Sequence, residues 1–303
     1  MVKFYFSIII PTLNEEKFLP RLLCDLAKQK ENNFETIIVD GNSSDDTISA
    51  TNRFKDKLPY LTVIESDKRN LCYQRNLGGI RAKGKYLIFL DADVQIYANY
   101  LKHIRKTIEK SSACFLTSYQ RVDGANTFDK FLIEVTNYVL ELLILINKPM
   151  APGYNFIIRK SDFLSVKGFD EKAKFGEDHE LSIRIWKKGT ELTMIRRHLL
   201  KWSFRRLRKD GRLPIITKYT LATVYVLLFG RIDHTFFNYP MGGLYFSNAS
   251  DRSKQEVDKY ISKIRLTFNK LFNQTKVLKK PVKNYLSAKK LKTFLNKYLS
   301  KLS

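Results

Sequence analysis

Short apolar runs recur about 25 residues apart along the first ninety residues, and each interval carries a helix-like periodicity. An interval of that length holds one helix and its two loops. Buried runs that alternate with helices predict a parallel sheet covered on both faces, which is an α/β fold class. The predicted strands are Phe6–Ile10, Thr36–Val39, Leu61–Ile64 and Tyr86–Leu90, and the predicted helices are Phe18–Gln29, Asp46–Phe54 and Tyr73–Ala82.

Acidic residues follow all four predicted strands. Because ligands bind beyond the carboxyl ends of parallel strands, we expect these carboxylates to line one rim of the sheet. Capping of the next helix is the alternative, and it is the expected role of Asp45. It accounts less well for Asp91 and Asp93, which close the most apolar strand. The acidic residues at the four strand ends are Glu15, Asp40, Asp67, Asp91 and Asp93.

A second block, from about residue 126 to 189, carries a different pattern. Phe128–Ile146 predicts a long helix, Ala151–Arg159 a loop leading into a short strand, and Ser161–Val166 a helical turn. From His179 the periodicity predicts a helix that ends at Gly189, as a glycine C-cap would end it.

The C-terminal third is basic and contains one apolar stretch. Tyr219–Gly230 is an uncharged run of twelve residues, whereas a bilayer span needs about 17–25. A core helix or an interfacial helix is therefore expected. From Ser247 onward there are fifteen Lys or Arg against three Asp or Glu. We expect a catalytic domain over 1–210, an apolar and membrane-interfacial helical segment over 211–246, and a lysine-rich helical tail over 247–303.

Composition restricts the function classes. Hydrophobic residues make up 44% of 303, enough for one large core or two modest ones. The three cysteines lie far apart and form no CxxC pair, which fits a reducing compartment and excludes a zinc finger. The N-terminal apolar stretch is short and is interpreted as the first strand, so a cytoplasmic protein is expected. The net charge of +24 suggests an anionic membrane or nucleic-acid partner.

The spacing of Asp91 and Asp93 indicates a metal site. Two carboxylates at positions i and i+2 on a turn can point their oxygens at one shared point, and Mg²⁺ or Mn²⁺ prefer oxygen ligands. Such a cation neutralises the charge that develops on a diphosphate leaving group. An Asp-x-Asp tripeptide alone is common in proteins. Its position after a fourth parallel strand strengthens the prediction of a metal site.

Five blocks in order make the chain resemble family 2 glycosyltransferases. They are Pro11–Glu15, Val39–Thr47, Arg75–Gly78, Leu90–Asp93 and Gly176–Leu181, within residues 4–210. The resemblance implies the GT-A fold, with a Rossmann-like, mostly parallel nucleotide-binding sheet, a nucleotide-sugar donor, a divalent metal and inversion at the anomeric carbon. A UDP- or GDP-sugar and a glycan or lipid-linked acceptor would then be the partners, at the inner face of an anionic membrane, with no nucleic acid.

The resemblance also implies roles for individual residues. Asp178 corresponds to the general base, Asp93 to the metal ligand and Asp91 to a residue near the sugar and the metal. The residues expected to bind the nucleotide sugar are Pro11, Thr12, Leu13, Glu15, Asp40, Asp67, Arg75, Asp91, Ala92, Arg205 and Arg206. Those expected on the acceptor side are Gly153, Asn155, Glu177 and His179, although Gly153 has backbone freedom as an alternative role.

Asp178 also has a physical case of its own. Sugar transfer by in-line displacement needs a base for the acceptor hydroxyl proton, and an Asp is ionised at neutral pH. The predicted helix start and a nearby cation would both favour that ionised form. The alternative is that Glu177 and Asp178 only decorate a helix N-terminus. His198 is either a further metal ligand or structural.

Three other function classes compete with this interpretation. A nucleic-acid-binding protein explains the charge, but acidic strand ends repel phosphate and no reader motif appears. A sugar-nucleotide-forming nucleotidyltransferase is expected to carry a glycine-rich phosphate loop, which Pro11–Glu15 is not. A catalytically silent scaffold on the same fold is disfavoured by the presence of Asp91, Asp93 and Asp178.

Overall fold

A computed structural model describes residues 3–122, 127–173 and 176–203. Arg205 and Arg206 lie outside these ranges, as do the segments expected over 211–246 and 247–303.

The first half of the described chain alternates strands and helices as the pattern predicts. All seven predicted elements are present, with ends that move by a few residues. They are β1 (Phe4–Thr12), α1 (Leu19–Ala27), β2 (Phe34–Asp40), α2 (Thr47–Asn52), β3 (Leu61–Glu65), α3 (Leu71–Arg81) and β4 (Gly84–Phe89).

The second half contains elements that the pattern did not predict. The long helix, the short strand, the helical turn and the helix before Gly189 are all confirmed, and three strands and one helix are additional. In order, the elements are β5 (Gln95–Ile96), α4 (Tyr100–Ser111), β6 (Phe115–Val122), α5 (Thr127–Leu145), a 3₁₀ turn (Gly153–Asn155), β7 (Phe156–Arg159), α6 (Lys160–Ser165), α7 (Glu177–Lys187) and β8 (Leu192–Trp202).

One eight-stranded sheet joins both halves in the order β3-β2-β1-β4-β7-β6-β8-β5. The strands from β3 to β4 pair in parallel, as predicted. β7 is antiparallel to β4 and to β6, β6 and β8 are parallel, and β5 closes the edge antiparallel to β8. The parallel half places the ends of β1, β2 and β4 at one rim, and the antiparallel β7 brings the 3₁₀ turn to the same rim beside the end of β4.

Each face of the sheet packs against helices, because successive strand residues point to opposite faces. Ile8 and Ile10 of β1 join a cluster with Leu22 of α1 and Ile104 of α4. Ile9, between them, joins a second cluster with residues of α6 and α7. The predicted two-faced α/β arrangement is confirmed.

Local signals fix several helix ends. Asp45 accepts a hydrogen bond from the Thr47 N–H at 3.1 Å, so it serves the start of α2 as expected. Asn70 accepts one from the Tyr73 N–H at 2.9 Å and caps α3. Gly189 follows α7 with φ of +88°, a left-handed conformation that favours glycine. In the described part of the chain, no helix is both long and apolar enough to cross a membrane.

Candidate active site

Asp40 is fully buried at the end of β2, where it organises the rim. Its Oδ1 accepts hydrogen bonds from the Thr12 hydroxyl at 2.8 Å and the Ser43 hydroxyl at 2.6 Å. Its Oδ2 accepts one from the Ser43 N–H at 2.7 Å. The carboxylate predicted to contact a base thus ties the ends of β1 and β2 together in this conformation.

The loops after β1 and β2 are clipped to each other. The Asn14 N–H donates to the Ser43 hydroxyl at 2.8 Å, and the Asn14 carboxamide oxygen accepts from the Ser44 N–H at 2.7 Å. The Glu15 N–H donates to the Thr47 hydroxyl at 2.7 Å. Asn14 and Asn42 have φ of 55° and 63°, conformations that non-glycine residues seldom adopt. Strain held by hydrogen bonds in this way is typical of a binding loop formed in advance of its ligand.

Gln74 is a residue of this rim that the sequence did not reveal. Its side-chain amide donates to the carbonyl of Thr12 at 2.9 Å and to that of Val39 at 2.8 Å. α3 is thereby pinned to the carboxyl ends of β1 and β2. The only local signal was the position of Gln74 immediately before the Arg75–Gly78 block.

The predicted nucleotide-binding positions differ in exposure. Pro11 and Thr12 are buried in the last residues of β1, and Ala92 is buried between the two aspartates. Leu13 is half-buried, and Glu15 is 6% exposed. Asp67 is exposed after β3, close enough to the Tyr73 hydroxyl to raise the pKa of that tyrosine.

Arg75 is the centre of the site. Its side chain is only 2% exposed, and its Nη2 donates to Asp91 Oδ1 at 3.0 Å while its Nη1 donates to Glu177 Oε1 at 2.8 Å. Its guanidinium also lies over the ring of Phe169, 5.2 Å from the centroid. Burial opposes the charge, but Asp91 and Glu177 together outweigh it and raise the pKa of Arg75. Arg75, which was predicted to bind the nucleotide sugar, therefore joins the turn Asp91–Asp93, called the DxD turn below, to the start of α7.

Gly153 provides the room for this bridge. A Cβ at position 153 would lie 2.7–2.9 Å from three guanidinium atoms of Arg75, closer than side-chain carbons approach. Its N–H donates to Asp178 Oδ2 at 2.9 Å. Its φ is not in the left-handed region. The proposed role in backbone freedom was wrong, because close approach and an oriented donor are what this position supplies.

Asp178 and Glu177 begin α7 as an enclosed acidic pair. Burial raises the pKa of Asp178, and the Gly153 N–H and the charge of Arg75 offset this only in part. Burial and the neighbouring Asp178 likewise raise the pKa of Glu177. The helix N-terminus and a nearby cation do favour the ionised form of Asp178 as expected, because the His179 N–H donates to its Oδ1 at 2.8 Å and the charge of Arg75 lowers its pKa, but desolvation is the larger effect. A raised pKa makes a carboxylate a stronger base near neutral pH.

Two residues predicted on the acceptor side are buried. Asn155 is 1% exposed, and its carboxamide oxygen accepts from the Tyr100 hydroxyl at 2.8 Å while its nitrogen donates to the Ser118 hydroxyl at 2.9 Å. His179 is also 1% exposed. Burial lowers the pKa of His179 to about 4, so the ring is neutral. These positions support the 3₁₀ turn and the first turn of α7, and this conformation does not present either side chain to solvent.

Asp91 and Asp93 offer carboxylate oxygens, the ligand type that Mg²⁺ and Mn²⁺ prefer. The Asp91 side chain is 36% exposed and Asp93 is half-buried, while one Asp91 oxygen is held by Arg75. No cluster of three or more His, Cys, Asp or Glu suited to a metal occurs among the described residues. Mg²⁺ commonly takes one or two carboxylates and completes its shell with phosphate and water. His198 donates to or accepts from Glu134 at 2.8 Å, which fits the structural role considered for it.

An aromatic pair borders the carboxylates. The rings of Tyr154 and Trp202 stack with centroids 5.2 Å apart and an interplanar angle of 7°. Burial raises the pKa of Tyr154, and the charges of Asp178, Asp91 and Asp93 add to the effect. The Tyr154 hydroxyl therefore stays protonated within electrostatic reach of all three aspartates. Sequence inspection missed this pair, because its partners are 48 positions apart in the chain.

The sheet order and the carboxylate site define the chain as a GT-A glycosyltransferase. It belongs to glycosyl transferase family 2, whose sequence model matches residues 7–166. These positions include the rim, the DxD turn and the 3₁₀ turn, while α7 lies just beyond them.

Curated relatives agree with this assignment. The poly(ribitol-phosphate) beta-N-acetylglucosaminyltransferase TarS of Staphylococcus aureus is 26% identical over 196 residues, which are 63% of this chain and 34% of that protein. The PGL/p-HBAD biosynthesis glycosyltransferase of Mycobacterium bovis is 41% identical over 93 residues, 30% of this chain and 36% of that protein. The chain thus spans about a third of the length of these relatives.

Solved structures share the fold. S. aureus TarS in complex with UDP superposes with a TM-score of 0.57 at 23% identity, over 65% of this chain and 60% of that one. The mannosyltransferase PcManGT from Pyrobaculum calidifontis, in complex with GDP-Man and Mn²⁺, gives 0.60 at 18% identity, over 73% and 62%. At these identities the likeness concerns the architecture alone.

Proposed function

We propose that this glycosyltransferase takes a sugar from a UDP- or GDP-sugar to an acceptor hydroxyl, with inversion at the anomeric carbon. The observation that carries the proposal is the Arg75 bridge, which links Asp91 of the DxD turn to Glu177, next to Asp178. Donor-side and acceptor-side carboxylates are thereby held in one constellation. The solved relatives with UDP and with GDP-Man support a nucleoside-diphosphate donor.

Asp178 is the base in the proposed reaction. Its carboxylate removes the proton from the acceptor hydroxyl as that oxygen forms a bond to the anomeric carbon. The bond from this carbon to the diphosphate oxygen breaks on the opposite side, and its electron pair leaves with the nucleoside diphosphate. The Gly153 N–H fixes Asp178 Oδ2 by a hydrogen bond, which orients the carboxylate before the acceptor arrives.

Asp91 and Asp93 would hold Mg²⁺ or Mn²⁺ together with the diphosphate. The cation supplies neutralisation of the charge that the leaving group develops. Arg75 holds Oδ1 of Asp91, and the cation would bind at Oδ2 of the same carboxylate. The Mn²⁺ in PcManGT supports this part of the proposal.

The nucleoside would bind at the rim formed by the clipped loops. Thr12 and Asp40 set the position of these loops, and Glu15 and Asp67 are the further carboxylates proposed to contact the nucleoside. The hydrogen bonds of Asn14 to the loop after β2 keep the rim formed in the absence of ligand. A preformed site loses less conformational entropy on binding.

A glycan or lipid-linked acceptor at an anionic membrane face is also proposed. α5 presents exposed apolar side chains on one stripe, with Tyr138, Leu142 and Leu145 at 63%, 56% and 78% exposure. Together with the net charge of +24, such a stripe suits binding to an anionic bilayer. Leu142→Glu should reduce cosedimentation with anionic vesicles, whereas Leu164→Glu, another exposed leucine, should not.

Two variants test the catalytic assignment. Asp93→Ala should abolish the thermal stabilisation that UDP or GDP gives with Mn²⁺. Asp178→Asn should keep that stabilisation and lower the transfer rate by about 10²–10⁴-fold, the usual contribution of a general base. Wild-type rates in Asp178→Asn would remove it as the base. Metal-independent nucleotide binding in the wild type would refute the DxD assignment.

A further inference from the structure

A basic groove lies on the sheet edge beside the candidate active site. It is an open cavity of about 460 Å³ lined by Tyr97, His103, Arg121, Arg196, Arg197 and His198. No carboxylate is among its lining residues within the described chain. The strands β6 and β8 contribute the arginines, and α4 contributes His103.

Two of the three arginines are available to a ligand. Arg196 donates two hydrogen bonds to the Glu141 carboxylate, with nitrogen–oxygen distances of 2.7 and 3.1 Å. Arg121 and Arg197 are exposed, and neither has a carboxylate partner in the part of the chain that the structure describes. Two unpaired guanidiniums beside an open cavity favour an anion with several oxygens, because each guanidinium presents a fork of donors.

The surroundings add positive charge. Burial lowers the pKa of His103, and the charges of Arg197 and of Lys106 and Lys102 on α4 lower it further. Lys201 lies over the Tyr97 ring, 5.8 Å from its centroid. The nearby carboxylates are already paired, Glu134 and Glu141 with the lining residues His198 and Arg196, and Asp25 with the Ile96 N–H, so none of them pairs with Arg121 or Arg197.

The groove is close to the catalytic constellation along two strands. Tyr97 is four residues after Asp93, and His198 is four residues before Trp202, which stacks on Tyr154. Four extended residues span at most about 14 Å. One acceptor can therefore contact the groove and place a hydroxyl near Asp178 if it carries a phosphate within roughly that distance of the hydroxyl.

We propose that this groove binds a phosphate group of the acceptor, so that the enzyme glycosylates a phosphate-bearing glycan or polyol chain. The proposal rests on the proposed function for the transfer step, and it adds the acceptor's chemical class. Arg121 and Arg197 are the phosphate ligands. They bind the acceptor and take no part in breaking the bond between the sugar and the diphosphate.

Binding of a short inorganic polyphosphate to the full-length chain tests the groove. Arg121→Gln with Arg197→Gln should weaken binding by about tenfold or more and reduce the slope of log affinity against log salt by roughly 1.4, about 0.7 for each lost phosphate contact on a flexible chain. The matched control is Arg53→Gln with Lys55→Gln, which removes two exposed charges at the end of α2. The control should change binding less than twofold.

Equal losses in both double variants would overturn the proposal, because net charge alone would then explain the binding. Single-stranded RNA bound as tightly, and lost by the same factor, would assign the groove to nucleic acid instead. Loss of vesicle binding with unchanged polyphosphate binding would assign it to lipid headgroups. Stabilisation by UDP or GDP with Mn²⁺ should be the same in all variants. Its absence in the wild type would refute the proposed function while leaving the phosphate site measurable.

Discussion

Replacing Arg75 by glutamine tests whether the bridge matters for both stability and chemistry. The substitution removes the bond to Glu177, which is 17% exposed, and the bond to Asp91, which is 36% exposed. A hydrogen bond to a charged group contributes about 1.5–3 kcal/mol when enclosed. The Asp91 bond is screened by solvent and adds about 0–1 kcal/mol. The free energy of unfolding should fall by about 2–3 kcal/mol, which lowers Tm by about 3–5 °C in a chain of 303 residues.

The same change should alter the pH dependence of transfer. Arg75 lowers the pKa of Asp178 and of Glu177, so its removal raises both pKa values further. A base with a higher pKa is more protonated at a given pH. The acidic limb of the kcat/KM profile should therefore move to higher pH in Arg75→Gln.

Arg75→Lys is the matched variant, because it keeps the charge and loses the fork that reaches two carboxylates. It should restore most of the pH profile and only part of the stability. Transfer rates from pH 5 to 9 and thermal melts of the three proteins give the measurement. An Arg75→Gln enzyme with unchanged Tm and an unchanged acidic limb would refute the bridge as a positioning element.

Two further predictions concern Gly153 and His179. Gly153→Ala should displace the guanidinium of Arg75, cost about 1–3 kcal/mol of stability and lower kcat. The control Gly189→Ala, where a Cβ meets nothing within 4 Å, should affect stability alone. Equal losses of kcat in the two variants would count against the steric argument. The folded pKa of His179 lies below its usual 6.5, at about 4. The unfolded chain therefore takes up the proton first, and about 3 kcal/mol of stability is lost as pH falls from about 6.5 to 4; in urea titrations, His179→Leu should remove most of that slope.

The parallel half of the fold could be predicted from sequence because its signals are local. Each of β1, β2 and β4 is a continuous apolar run, and a strand buried on both faces requires one. The carboxylates at their ends follow directly in the chain. Their presence at one rim was therefore predictable from topology.

The second half of the fold was harder to predict from the sequence. β8 carries Arg196, Arg197 and Lys201 on a partly exposed edge, so its apolar positions do not form a run. β6 pairs with it through two register shifts around Tyr119, which interrupt any simple alternation. α4 did carry a signal, since Leu101, Ile104 and Ile108 are spaced as one buried helix face.

The candidate active site also has a part that the sequence predicts and a part that it does not. Asp91, Asp93 and Asp178 were found because they lie in short motifs. The contacts of Arg75 join residues 16 and 102 positions apart, and no local pattern encodes them. The burial of His179 and Asn155 likewise depends on elements that pack against them from elsewhere in the chain.

The close approach of Gly153 to Arg75 has a consequence for how this enzyme can change over evolutionary time. A side chain at position 153 requires either a displaced guanidinium or a smaller residue at position 75. The two positions should therefore be epistatic: Gly153→Ala should be costly alone and nearly neutral once Arg75 has been shortened. A lineage that loses the arginine first meets the smaller penalty, so the geometry favours that order of the two substitutions.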